Sequence, residues 1–201
     1  MLLFEPEKAN ELYYSLDDAS ICDDIGGRSP RSTKKYKEWK AEQAEKAQGK
    51  ELVNKEDWTK AHEMIQRLKD CGLYDKRFAG GKYQVEFNVD YDGIPLKGFL
   101  DCLQDDFIVD SKSTKAVDKF RYSVRDFCYD IQAYIYCKVF GVNKFYWLVQ
   151  EKTYPYLPAV VECSDETLFA GEMKFNDAIE RIESFLQSNK QPEQDYVQFK
   201  V

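Results

Sequence analysis

Three strand-like runs in close succession constrain this chain more than any other feature. Lys82 to Asp90 alternates, with Tyr83, Val85, Phe87 and Val89 on one face and Gln84, Glu86 and Asn88 on the other. That period of two is the mark of a half-buried strand. Asp92-Gly93 is a hairpin turn signal. Two more short strands come next, one holding Gly98-Phe99-Leu100-Asp101 and one holding Ile108-Val109-Asp110-Ser111-Lys112, with Gln104-Asp105-Asp106 as the turn between them.

These last two strands carry unusual chemistry. Side chains two apart on a strand share a face, so Asp110 and Lys112 point one way and Ser111 the other. If the strands pair as a hairpin, Asp101 comes to lie beside Asp110. Two carboxylates and an ammonium on one patch of sheet are costly unless a cation or phosphate sits there. Taken alone, Asp110 with Lys112 reads more readily as a surface ion pair, but the apolar Ile108 and Val109 ahead of them speak for a buried strand.

Around this hairpin the chain alternates helices and strands. Residues 1–33 read as irregular, with room for a short helix between Leu2 and Leu16. A charged helix is predicted from Lys34 to Gln48, capped by Ser32 or Thr33 and stopped by Gly49. A second opens at Asn54 and runs to about Asp70, burying Trp58, Ala61, Ile65 and Leu68. Arg121 to Phe140 reads as one long helix, apolar on most sides, with a polar stripe of Arg125, Tyr129, Gln132 and Tyr136. Strands are expected at Lys144–Gln150 and Ala159–Cys163, a last helix at Asp165–Ser188, and a tail from Asn189 with a short strand at Tyr196–Val201. This order predicts an α/β or α+β fold with a mixed sheet of about five strands flanked by helices. The expected organisation is one domain over residues 1–201: a helical part at 1–72, a core at 82–188 and a tail at 189–201.

Composition removes several function classes. With 201 residues, 43% hydrophobic and 15% aromatic, the chain can bury a proper core. The net charge of -7 argues against sequence-independent clinging to nucleic acid through a generally basic surface, leaving room for a local basic groove. Six cysteines lack any C-x-x-C spacing, and no apolar run approaches the length of a membrane span. The expectation is a cytoplasmic protein with reduced thiols and no membrane association.

The ordered set G-x-x-D (Gly98 to Asp101), D-x-K (Asp110 to Lys112) and Q-x-x-x-Y (Gln132 to Tyr136) resembles the PD-(D/E)XK nuclease superfamily, and within it the phage and bacterial RecE-type exonuclease VIII. Lys97-Gly98-Phe99-Leu100-Asp101, Ile108-Val109-Asp110-Ser111-Lys112-Ser113-Thr114 and Tyr129-Asp130-Ile131-Gln132-Ala133 to Tyr136 carry the likeness, with Lys37-Glu38-Trp39-Lys40 upstream. The resemblance implies a restriction-endonuclease-like core and a Mg²⁺- or Mn²⁺-dependent hydrolysis of phosphodiester bonds. Asp101 and Asp110 would be the metal carboxylates, the Ser111 backbone carbonyl a third oxygen, and Glu86 an outer or second ligand. Lys112 would hold the attacking water, and Gln132 and Tyr136 would orient the site. It further implies action at double-stranded DNA ends from the 5′ end, a homo-oligomeric ring, a single-strand annealing protein as partner in homologous recombination, and a phage or prophage gene acting in a bacterial cytoplasm.

For phosphate contacts, Lys115, Lys119, Arg121 and Arg125 come directly after the D-x-K strand. Arg28, Arg31, Lys34 and Lys35 form a second, more distant set; either set also reads as a solvated face. The sequence departs from the family at one point. RecE-type enzymes carry a metal-binding His on a helix just ahead of an L-L-E-P-like segment. Here Leu2-Leu3-Phe4-Glu5-Pro6 resembles that segment and opens the sequence, and the lone histidine, His62, does not match the position. Glu86 and water filling the coordination sphere, a truncated chain, and weak catalysis are the three readings of that departure. A nuclease-fold binding protein without cleavage and an endonuclease on the same core are the competing functions.

Overall fold

The computed structural model describes residues 6–188. The chain packs as two compact units. One runs to Ala79 and includes Tyr154–Leu157; the other takes Gly80–Thr153 and continues from Pro158.

The first unit is not purely helical. After α1 (Pro6–Leu12), β1 (Tyr13–Leu16) pairs in parallel with β2 (Glu51–Asn54), aligning Tyr13 with Glu51 and Leu16 with Asn54. Strands of four residues are too short to show a period, and their partners lie far apart in sequence. The short helix expected between Leu2 and Leu16 is α1, while the stretch expected to be irregular also holds a strand that local pattern does not reveal. Helix α2 (Ala19–Ile25) comes after β1, and α3 (Lys34–Lys46) is capped by Thr33, whose side chain accepts from the Tyr36 amide. Helix α4 (Lys55–Asp70) is capped by Asn54, whose side chain accepts from the Glu56 amide, and α5 (Leu73–Arg77) closes the unit. Asp18, just ahead of α2, ties that helix to Arg31 and to α3. It is 7% exposed and accepts from Arg31 Nε at 2.7 Å, Arg31 Nη2 at 3.1 Å and the Tyr36 hydroxyl at 2.8 Å.

The second unit is a five-stranded mixed sheet in the order β3-β4-β5-β6-β7. Its strands are β3 (Lys82–Tyr91), β4 (Ile94–Leu103), β5 (Ile108–Thr114), β6 (Phe145–Glu151) and β7 (Pro158–Glu162). All neighbours are antiparallel except β5 and β6, which run parallel from Ile108↔Phe145 to Thr114↔Glu151. That parallel pair needs a crossover, supplied by α6 (Phe120–Asp126) and α7 (Tyr129–Phe140). Helix α8 (Asp165–Gln187), capped by Ser164, packs along α7. The core joins Leu100 and Ile108 to Phe145, Trp147 and Val149 of β6 and to Phe120, Ala133 and Cys137 of the helices. Burial of one such side chain contributes about 1.5–3 kcal/mol. Gly171 sets the approach of α8 to α7, because a Cβ there would lie 2.2 Å from the Asp130 carbonyl oxygen.

The helix expected from Arg121 to Phe140 is broken in two. Phe127 and Cys128 interrupt it, and Cys128 takes a left-handed conformation with φ of 53°. Neither Gly nor Pro marks the break. Packing decides it: buried Phe120 and Ala133 anchor the two segments to the same core, and Phe120 also stacks on Tyr129 across the break. The expected four-residue polar stripe is thus cut, and Arg125 falls on α6, apart from Tyr129, Gln132 and Tyr136 on α7. Leu2–Glu5 and the strand expected at Tyr196–Val201 lie outside the described residues.

Candidate active site

The site grows from the place where β4 and β5 part. Their pairing consists of Cys102↔Val109 and Leu103↔Ile108 and then stops. One step further, the register would set Asp101 opposite Asp110. There the Asp101 carboxylate takes the place of a ladder carbonyl: its Oδ2 accepts from the Ser111 amide at 2.8 Å. A residue's N–H and C=O point to the same edge of an extended strand. The Ser111 carbonyl is therefore directed into the same fork as the Asp101 carboxylate.

The other edge of β4 shows why Asp101 can reach. The β3–β4 register continues on both sides but omits Gln84↔Asp101, and Gln84 has a φ of 49°. Its side-chain amide donates to Asp101 Oδ1 at 3.2 Å. Leu100 and Leu103 both pack on the α7 side although their spacing of three is odd, so the alternation of β4 slips by one at this point. The distortion swings Asp101 toward β5.

Asp110 is 3% exposed. Its Oδ1 accepts from Gln132 Nε2 at 3.1 Å, and Gln132 Nε2 also lies 3.2 Å from the Tyr136 hydroxyl. That hydroxyl donates to the Phe99 carbonyl at 3.0 Å. One turn of α7 thus bridges β5 and β4, with the amide and phenol clamping the splayed strands. Gly98 makes room for the clamp, since a Cβ there would lie 2.8 Å from the Phe87 ring, which packs edge-on against Tyr136. The glycine of the G-x-x-D pattern thus has a packing role.

The Lys112 ammonium abuts Asp110 Oδ2 as a close ion pair and sits 4.7 Å from the centre of the Tyr129 ring. Asp110 Oδ2 is buried, and the Lys112 ammonium is the group that faces it. Burial pushes the Asp110 carboxyl up to about 6, and the Asp101 charge adds to the rise; Lys112 and Gln132 offset only part of it. Two carboxylates stand beside one ammonium, and the oxygen donors of Asp101, Asp110 and the Ser111 carbonyl fit a hard divalent cation between them.

Glu86 stands apart from this cluster. It neighbours Phe87, whose ring meets Tyr136, and so faces away from α7 with its carboxyl exposed. Among the described residues no group of three or more His, Cys, Asp or Glu forms a metal cage. His62 lies on α4, its Nδ1 2.8 Å from the Trp58 carbonyl oxygen.

Of the basic residues after the D-x-K strand, Lys115, Lys119, Arg121 and Arg125 are all exposed. Arg121 lies over the Tyr122 ring and Arg125 pairs with Asp126. In the second set, Arg31 pairs with Asp18, Lys35 with Asp24 and Lys34 with Glu38, which gives those three cations partners. Sequence reasoning missed Gln84, the second holder of Asp101. Its only signal was a long amide directly across the turn from an acid. Tyr129 as the seat of Lys112 was half visible, as a member of the polar stripe.

The model of a family described as a PDDEXK-like domain of unknown function (DUF3799) matches residues 2–198. The fold is similar to a crystal structure named "Putative exonuclease" from Eubacterium rectale, with a TM-score of 0.57 and 20% sequence identity over 83% of this chain and 71% of that one. No curated protein matches the chain.

Proposed function

Since the chain belongs to this family of PDDEXK-like domains, we propose that it is a divalent-metal-dependent deoxyribonuclease, an exonuclease that hydrolyses phosphodiester bonds at double-stranded DNA ends in the 5′ to 3′ direction. The observation that carries the reading is the buried Asp110 carboxylate at the point where β4 and β5 part, with the Asp101 carboxylate across the fork and the Lys112 ammonium against it.

Asp101, Asp110 and the Ser111 carbonyl would hold Mg²⁺ or Mn²⁺, which when bound supplies Lewis-acid neutralisation of the phosphoryl oxygens. The protein's own groups do the rest. Gln132 and Lys112 each hold one oxygen of Asp110, and Gln84 and the Ser111 amide each hold one oxygen of Asp101. Lys112 presents ammonium protons to the attacking water and to the negative charge that develops on phosphorus-bound oxygen. The Tyr129 ring under that ammonium holds it in place through a cation–π contact. The exposed Lys115, Lys119 and Arg121 extend positive charge along the path a strand would take away from Lys112. A ring of identical chains enclosing the duplex and a single-strand annealing protein acting on the product belong to the same reading, as does a phage or prophage role inside a bacterial host. No described helix is long and apolar enough to cross a membrane.

Linear and closed circular duplex DNA, each incubated with Mg²⁺ and with Mn²⁺, provide the test. Linear DNA should be degraded and circles spared, and Lys112→Ala should abolish degradation while leaving the circular-dichroism spectrum unchanged. Absence of cleavage with either metal at high protein concentration would sink the enzyme, and cut circles would sink the exonuclease.

A further inference from the structure

The helix break after the D-x-K strand exposes an aromatic ring beside the site. Phe127 is 67% exposed, the most exposed phenylalanine among the described residues. Its ring lies 5.7 Å from Tyr129, the ring that carries the Lys112 ammonium at 4.7 Å. Phe127, Tyr129, Lys112 and Asp110 therefore form a continuous row on one side of the sheet, running from solvent to the buried carboxylate. The row is held at a cost. Cys128, next to Phe127, adopts a left-handed conformation that an L-residue other than Gly, Asn or Asp seldom takes. Strain of this kind clusters at sites that use the geometry it enforces.

The surroundings specify what such a ring would meet. Between Lys115 and Cys128 there are four cations, Lys115, Lys119, Arg121 and Arg125, and two acids, Asp118 and Asp126. On a chain of net charge -7, a local excess of positive charge around an exposed ring selects a polyanion that also offers flat apolar faces. Single-stranded nucleic acid has both, because its bases are free to leave the stack and lie on an aromatic side chain. A base-paired end keeps its bases stacked on one another.

We propose that Phe127 is a nucleobase-stacking platform, and that the site takes the unpaired nucleotide of a frayed or single-stranded end, the base on Phe127 and the adjoining phosphate at Lys112. This rests on the nuclease reading for its phosphate end but not for its base end. Phe127 is a binding residue and contributes no proton or ligand. The preferred substrate class is then a DNA end with an overhang of unpaired bases rather than a blunt end.

Binding is tested separately from cleavage, in Ca²⁺, with a short single-stranded oligonucleotide carrying 2-aminopurine near its 5′ end and with a blunt hairpin duplex. In the wild-type protein the 2-aminopurine should be quenched on binding. Phe127→Ala should weaken single-strand affinity roughly 5- to 100-fold, the range of one base–aromatic stack, and abolish the quench. Phe127→Trp should restore both, Phe127→Leu should restore neither, and blunt-duplex affinity should stay within about twofold. Equal single-strand affinity and quenching in wild type and Phe127→Ala, with unchanged melting temperature, would overturn the proposal. Loss of affinity for both DNA forms alike would also overturn it, by assigning Phe127 to general packing. A protein that never cleaves but shows the stacking signature would defeat the nuclease reading and leave the platform standing.

Discussion

Neutralising Asp110 should stabilise the metal-free protein. The Asp110 carboxyl is raised from 3.8 to about 6, chiefly by burial. Each unit of such a shift corresponds to about 1.4 kcal/mol between the charged and neutral forms. Ionised Asp110 therefore costs about 3 kcal/mol of folding stability at alkaline pH. The sign comes from proton counting. Between about 4 and about 6 the folded chain holds a proton that the unfolded chain has lost, so stability declines as pH rises through that window and stays low above it. Asp110→Asn keeps the volume, keeps an acceptor for Gln132 Nε2 and removes the charge. In chelator at pH 8 the variant should melt above wild type by about 6–12 °C for a chain of this size. At pH 4.5 the advantage should shrink to about a third. Adding excess Mg²⁺ at pH 8 should raise the wild-type melt and leave the variant unmoved. A variant no more stable than wild type in chelator at pH 8 would show that Asp110 is not buried as an uncompensated charge, and the argument for a cation in the fork would fall with it.

Two further outcomes test the frame around the site. Gly171→Ala should destabilise the second unit by about 1–3 kcal/mol or more, read as a lowered urea midpoint, because the new methyl meets the Asp130 carbonyl rather than a side chain that can yield. Asp18→Asn should weaken the first unit by about 1–3 kcal/mol at neutral pH through its contacts with Arg31 and Tyr36. Hydrogen bonding to Arg31 holds the Asp18 carboxyl below its usual range, so that contribution is lost as pH falls through the acid range, and wild type and variant should converge there; a gap that persists in acid would contradict it.

The legibility of this protein tracks the range of its interactions. The second unit was readable because its strands are long and its turns short. Ten residues of alternation in β3 and a tight Asp92-Gly93 turn leave one way to pair, and five strands in a mixed sheet are what the structure holds. The first unit was misread where β1 and β2 are four residues each and pair in parallel across the intervening α2 and α3. At the site, the residues that the family resemblance singled out, Asp101, Asp110, Lys112, Gln132 and Tyr136, stand close to one another.

What the sequence alone determined is the identity of the chemical groups and their order along adjoining elements, because strand period and helix turn are local properties. What only the tertiary structure decided is where those elements depart from regularity. The β4–β5 pairing ends after two residue pairs, Gln84 bends the neighbouring strand, and Phe127–Cys128 breaks a helix that contains no breaker. Each departure is imposed by packing between residues distant in sequence, which no local pattern encodes. At the end of the β4–β5 pairing, a plain hairpin of two acids and a lysine becomes a fork with Asp101 and Asp110 on its two arms.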